Sequence, residues 1–276
     1  MLQVRNLHFG HVRSEADVLR GVGLEAARGE ITTVLGPNGC GKTTLFKCIG
    51  GLWRPKNGEV VFDGVDILPQ THSQRARLLA AVPQEHEIPF PYSVFDVVLM
   101  GRASRIGAVA SPSRHDRMRA QQALEETGIE GLREKACTKL SGGEKQLVFI
   151  ARALAQDAPI LLLDEPVSHL DFRHQQLILR KIRRLACEKR LVALMTLHDP
   201  NLAMLYSDRV VLMNRGAVVS EGKPQAVITE EALRQVYGID VRVISWNGFR
   251  IVYPGDGEQK TAAKRKECPL SEEAHE

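Results

Sequence analysis

The sequence predicts an α/β fold, a mostly parallel sheet covered on both faces and interrupted by a helical insert. Three observations carry this expectation. Short apolar runs of strand length recur at 31–35, 160–163, 191–196 and 209–213. They are rich in apolar and β-branched residues without polar alternation, as strands buried on both faces are. Helix-like stretches separate them, including an amphipathic one at 177–188, and strand–helix alternation is the pattern of a parallel sheet. Between 84 and 155 the strand character gives way to a helical pattern, which marks the insert.

In chain order, Leu2, Val4 and Leu7 form a first apolar segment, and Val18, Leu19, Val22 and Leu24 a second. The β-branched run 31–35 ends at Gly36 and opens a glycine-rich turn. Residues 43–52 then have helical composition and stop near Gly50, Gly51 and Pro55. Strand, glycine loop and helix in that order make a phosphate-binding unit. The helical region is broken at Pro89 and Pro91. Ser111, Pro112 and Ser113 with Asp116 predict a helix start, with capping-box spacing and proline near the first turn. That helix runs to Thr127, carries Met118 and Leu124 on a mostly polar surface, and ends at Gly128. Near the end, 241–246 and 249–253 flank Asn247-Gly248, a strong hairpin signal. The polar stretch 255–276 is expected to be a disordered tail. Its Lys260, Lys264, Arg265 and Lys266 suit either solvent or acidic lipid heads. Neither repeats nor heptads occur.

Composition narrows the function classes. The chain is 43% hydrophobic and 25% charged, as average soluble proteins are, and no run approaches the length needed to span a bilayer. The N-terminus lacks a basic segment followed by an apolar one, so no secretion signal is read. Work at a membrane would need another subunit to hold the chain there. Cys40, Cys48, Cys137, Cys187 and Cys268 are widely spaced, which argues for free thiols in a reducing compartment rather than zinc or disulfides. A net charge of +4 does not demand nucleic acid.

The chemistry begins with Gly36, Pro37, Asn38, Gly39, Cys40, Gly41, Lys42 and Thr43, which match the phosphate-loop pattern G-x-x-x-x-G-K-[ST]; Thr44 continues it. The glycines let backbone N–H groups converge on phosphate oxygens, and the following helix adds its positive end. Lys42 supplies a point charge for the outer phosphates and Thr43 a hydroxyl for Mg2+. Asp164 closes the apolar run 160–163, where an open α/β sheet binds its ligand, and is expected to hold Mg2+ through water. Glu165, next to it, can orient or deprotonate the attacking water. Cys40 is either a small tolerated side chain or a thiol made reactive by Lys42 and the helix end. Ser141, Gly142 and Gly143 open a helix and make a second anion site from a hydroxyl and free N–H groups.

Leu140-Ser-Gly-Gly-Glu144 lies upstream of the acidic strand, and here the sequence resembles the ATP-binding-cassette family. The likeness covers about residues 1–240. It includes Gln84, similar to the family's Q-loop, Ser168-His-Leu-Asp171, similar to its D-loop, and His198, similar to its switch histidine. The resemblance implies a P-loop NTPase core with an antiparallel β subdomain. It places the ATPase domain at 1–254, with the helical insert at about 85–155 and the hairpin at about 241–253. It implies ATP and Mg2+, with Gln84 counted among both the catalytic and the metal-binding residues, and His198 contacting the γ-phosphate while positioning Glu165 and the water. It further implies a homodimer of cassettes sandwiching two ATP, in which Ser141, Gly142, Gly143 and Asp171 serve the partner's nucleotide. The family's adenine-stacking aromatic falls near His11, with Phe9 as the competing residue. Glu144 replaces the family's usual Gln, which should tune the signature rather than abolish it. Val167 replaces a common Thr, from which nothing is read.

The segment 89–102 and the residues 238–243 resemble the cassettes of iron-siderophore, haem, cobalamin and molybdate importers. That likeness implies two copies of a polytopic membrane permease, indirectly a solute-binding protein, no nucleic acid, and a place on the cytoplasmic face of the membrane. Phe90, Tyr92 and Val94 to Val98 could form a docking groove for the permease, or pack internally. An exporter cassette would share every catalytic motif, and a translation or DNA-repair ATPase of the superfamily is the other alternative. The first is disfavoured by segment 89–102, the second by the single cassette and the missing coiled coil.

Overall fold

A computed structural model describes residues 1–11, 16–84, 90–106, 110–246 and 249–255. The chain opens with β1 (Leu2–Phe9), β2 (Leu19–Ala26) and β3 (Ile31–Leu35), followed by α1 (Lys42–Ile49). Next come β4 (Asn57–Phe62), β5 (Val65–Asp66), α2 (His72–Arg75) and β6 (Leu79–Val82). Helices α3 (Val94–Leu99), α4 (Arg114–Thr127) and α5 (Gly142–Ala155) make the insert. Then β7 (Ile160–Leu163), α6 (Phe172–Glu188), β8 (Val192–Leu197), α7 (Pro200–Tyr206), β9 (Arg209–Asn214) and β10 (Ala217–Gly222) return to the core. Helices α8 (Pro224–Val227) and α9 (Glu230–Tyr237) and strands β11 (Val241–Trp246) and β12 (Phe249–Pro254) finish the described chain.

The central sheet has the order β10-β9-β3-β8-β7-β6 and is parallel except for β10. A separate antiparallel sheet, β2-β1-β4-β5, packs against its other side. Two apolar cores follow from this layering. One lies between the two sheets around α1 and joins Leu2, Val22, Leu45, Ile49, Val60 and Leu162. The other covers the opposite face of the central sheet with α5 to α9 and the hairpin strands. Strands β3, β7 and β8 are buried along their whole length, with Thr32, Thr33 and Thr196 buried among the apolar residues, so neither face reads as polar.

The insert has its own core, in which Val94, Val97, Val98, Leu124, Val148 and Ala151 are all buried. The valines expected as a possible docking groove are therefore internal packing. Of that group Phe90, Tyr92 and Asp96 face outward, the two rings edge to face at 5.9 Å. Helix α4 starts at Ser113, whose side chain and that of Asp116 cap each other's backbone, as the spacing predicted. Pro112 precedes the cap, so it lies outside the first turn. Leu124 is buried while Met118 is mostly exposed.

Several elements differ from the sequence reading. Residues 53–83 carry β4, β5, α2 and β6, none of which was anticipated. Gly58 interrupts the first of these, and 79–82 is too short to distinguish from the end of a helix. Helix α6 begins at Phe172, five residues before the expected start, because Asp171 caps it. The strand β10 and helices α7 to α9 were likewise unforeseen. The expected hairpin is present as β11 and β12, while its turn residues, the tail from 256 onward and Pro89 lie outside the described residues.

A buried ion pair holds the insert together. Arg102 donates from Nε to Asp116 at 3.0 Å and from Nη1 to Ala155 O at 2.8 Å, with both side chains nearly inaccessible. Hydrogen bonds from Ser113, then Arg102, hold the Asp116 carboxyl down at about 2. Arg102→Ala leaves a buried carboxylate unpaired and should cost about 3–5 kcal/mol in urea unfolding at neutral pH. The folded carboxyl lies below its unfolded value, so its contribution is present above about pH 4 and lost as pH falls towards 2. The stability gap between the wild type and Asp116→Asn should close over that window.

Candidate functional site

Strand β3 delivers the phosphate loop to the carboxyl end of the sheet, and α1 starts directly after it at Lys42. Gly36 passes so close to β9 that an added Cβ would meet Met213 O at 2.4 Å, so only glycine fits. Lys42 is buried and donates from Nζ to Gly36 O at 2.7 Å and Pro37 O at 3.0 Å. An ammonium has three donors, so one remains for an anion in front of the loop.

Facing the loop is a cavity of about 630 Å³. Asn38, Gly39, Gly41, Lys42, Thr43 and Thr44 form one wall, together with Val18 from the approach to β2. The other wall carries Gln84, Glu165, Ser168, His169 and His198. Three strands assemble that second wall: Gln84 follows β6, Glu165 follows β7, and His198 follows β8. These strands are parallel neighbours, so their carboxyl ends, and the residues just beyond them, meet at one edge.

Glu165 is held from both sides. Gln84 Nε2 donates to Glu165 Oε2 at 2.8 Å, and His198 Nε2 lies 2.5 Å from Oε1. The Glu165 side chain is largely buried, at 9% exposure, whereas His198 is open to the cavity. The backbone is also constrained: Glu165 has φ of 49°, a left-handed conformation that non-glycine residues rarely adopt. Its N–H donates to Thr196 Oγ1 at 2.7 Å, and Ser168 donates back to its carbonyl from N and from Oγ. Strain held in this way by its surroundings is typical of reactive sites.

Thr196 is a site residue the sequence reading passed over. Fully buried, it also donates from Oγ1 to Asp164 Oδ1 at 2.7 Å, so one hydroxyl fixes both acids. The signal was available, since Thr196 is the one hydroxyl in an otherwise apolar strand beside the acidic one. Register puts Leu163 opposite Met195, and so Thr196 opposite Asp164. Asp164 itself stands behind the cavity lining at 7% exposure.

The other anticipated residues are not in this cavity. Ser141, Gly142 and Gly143 stand apart at the start of α5. Ser141 and Glu144 form a capping box, with Glu144 Oε2 accepting the Ser141 N–H at 2.7 Å. That bond holds the Glu144 carboxyl below the usual carboxylate range, and Lys135 sits 3.5 Å away. A glutamine would cap equally well, so Glu144 keeps the helix start intact. Gly143 abuts His174, whose ring carbon an added Cβ would meet at 2.4 Å. Asp171 caps α6 through the His174 N–H at 2.9 Å and also contacts the His174 ring. Its carboxylate is thus engaged within its own helix.

His11 is exposed at the rim of an aromatic group, edge-on to Phe9 and Trp53. Phe9 is buried and stacked on Trp53 at 5.1 Å, which leaves it no free face towards a ligand. Cys40 also departs from the sharper sequence reading. It is buried behind the loop, and burial pushes its thiol up despite the opposing pull of Lys42. A thiol alkylator at neutral pH should therefore modify exposed Cys187 well before Cys40, as peptide mapping by mass spectrometry would show.

Known proteins resemble this chain over most of its length. Residues 19–168 match the family model described as ABC transporter. The chain is 40% identical over 240 residues to the hemin import ATP-binding protein HmuV of Hahella chejuensis, covering 84% of this chain and 91% of that protein. It is 36% identical over 228 residues to the iron(3+)-hydroxamate import ATP-binding protein FhuC of Bacillus subtilis, covering 83% and 85%. Among solved structures, an ABC transporter in an inward-facing conformation superposes with a TM-score of 0.81 at 31% identity, covering 93% of this chain and 98% of that one.

Proposed function

Because the chain belongs to the ABC transporter family, we propose that it is the ATP-binding and ATP-hydrolysing subunit of an importer for a metal chelate. The chelate is of the hemin or iron-hydroxamate class that its relatives are named for. One observation carries the catalytic half of this reading: the Glu165 carboxylate, clamped between Gln84 and His198, faces the phosphate loop across one cavity.

The chemistry follows from the residues present. The N–H groups of the phosphate loop and Lys42 grip the β- and γ-phosphates of ATP. Each Glu165 oxygen keeps a lone pair beyond its bonds to Gln84 and His198, so the carboxylate can accept a proton from water aimed at the γ-phosphorus. His198, exposed on the cavity wall, contacts the γ-phosphate while holding Glu165. The donors at hand, the Thr43 hydroxyl, the Gln84 amide oxygen and the Asp164 carboxylate, are all oxygens and suit Mg2+, with Asp164 reaching it through water. Bound there, Mg2+ would neutralise charge on the phosphate oxygens.

The Ser141 hydroxyl and the N–H groups of Gly142 and Gly143 lie outside the chain's own cavity. They are orphan donors at the positive end of α5, so they serve the γ-phosphate of a second copy, head to tail. Asp171 shapes that junction by fixing the start of α6 and the His174 ring beneath Gly143. His11 borders the adenine. No helix among the described residues is long and apolar enough to cross a membrane. A separate permease would then seat a cytoplasmic loop in the cleft of about 570 Å³ lined by Tyr92, Leu99, Met100, Ala103 and Ile106.

The test is uptake. Vesicles containing the chain and its permease should accumulate radiolabelled iron chelate only when MgATP is on the cassette side. Phosphate release without any chelate movement, across hemin and hydroxamate substrates, would leave the ATPase reading and remove the importer.

A further inference from the structure

His198 meets Glu165 from residues 198–199, a short connection between β8 and α7. The first turn of α7 therefore sets its position. Asp199 caps that turn by accepting the Asn201 N–H at 2.7 Å. The Asn201 side chain reaches the other way, to the hairpin. Its Nδ2 donates to Val252 O at 3.0 Å, and its Oδ1 accepts the Val252 N–H at 2.8 Å. One side-chain amide thus makes the pair of bonds that a neighbouring strand would make.

The hairpin is a firm anchor for this grip. Val241 and Val252 are buried in the larger core. Val243 N donates to Glu230 at 2.9 Å, and Arg250 donates to Gln225 O at 2.7 Å. We propose that Asn201 is a positioning residue for hydrolysis: by clamping the first turn of α7 to β12, it fixes the direction from which His198 meets Glu165. This rests on the reading of Glu165 and His198 as the hydrolytic pair. The contact between them is short, and a shift of about 1 Å in such a group can lower a rate by about two orders of magnitude.

Three variants test the clamp. Asn201→Ala removes it. Asn201→Asp keeps the shape but turns an oxygen towards Val252 O, replacing attraction by repulsion. Asn201→Gln retains both donor and acceptor on a longer stem. Steady-state MgATP hydrolysis should fall about tenfold in kcat for the Ala and Asp variants, with nucleotide affinity unchanged and partial recovery in the Gln variant. Repeated in a His198→Ala background, the Ala and Asp substitutions should lower the residual rate no further, because the residue they act through is gone. The His198 imidazole resonances, assigned by their loss in His198→Ala, should move in Asn201→Asp. Full kcat in Asn201→Ala, an equal further loss on top of His198→Ala, or an unmoved imidazole would each overturn the proposal. A wild-type chain that does not hydrolyse MgATP would instead overturn the ATPase reading on which it rests.

Discussion

Glu165→Gln is expected to lower MgATP hydrolysis by about 10²–10⁴-fold, the usual worth of a general base, while nucleotide still binds. The substitution is nearly isosteric, so the cavity keeps its shape. What changes is the proton chemistry. A carboxylate accepts hydrogen bonds from Gln84, His198 and water at once. An amide has one accepting oxygen and a nitrogen that only donates, so it serves two of those partners and takes no proton from water. Phosphate release and fluorescent-nucleotide titration, run side by side, separate the two effects. Normal turnover in Glu165→Gln would remove the hydrolytic assignment.

Lys42→Ala should act one step earlier. The Lys42 ammonium is buried at the mouth of α1, bonded to two carbonyls of its own loop and aimed at the cavity. A charge-assisted contact to phosphate is worth about 1.5–3 kcal/mol, so nucleotide affinity should weaken by about 10–10²-fold, measured by calorimetric titration with MgATP. The contrast between the two variants is informative. Glu165→Gln binds without turning over, whereas Lys42→Ala fails to bind well. An unchanged affinity in Lys42→Ala would mean that the cavity in front of the loop is not the nucleotide site.

How much of this was legible in the sequence depends on distance along the chain. The phosphate loop, Asp164-Glu165 and the signature at 140–144 are local strings whose chemistry is set by spacing alone, and they could be read directly. The central strands were legible because burial on both faces leaves them largely apolar and β-branched, without polar alternation. Contacts made by folding were not. Thr196 belongs to the site only because β7 and β8 pair in one register, and Asn201 only because β12 returns to α7 from fifty-one residues away. Burial was equally invisible. Cys40 has the right neighbours for a reactive thiol, but its desolvation outweighs them. The sequence left the valines at 94, 97 and 98 open between a surface groove and internal packing, and they are the interior of the insert. Asp171 was read for its place near a partner's nucleotide, whereas its capping of α6 is visible only once the helix start lies at Phe172.

On the proposed mechanism, MgATP closes two copies of this chain around shared phosphate sites, each completed by the other's Ser141 and glycines. Light scattering on purified Glu165→Gln, with and without MgATP, tests it most directly. A particle of twice the chain's mass that forms only with MgATP and retains two nucleotides is the expected result. A particle of single-chain mass at saturating MgATP would contradict it.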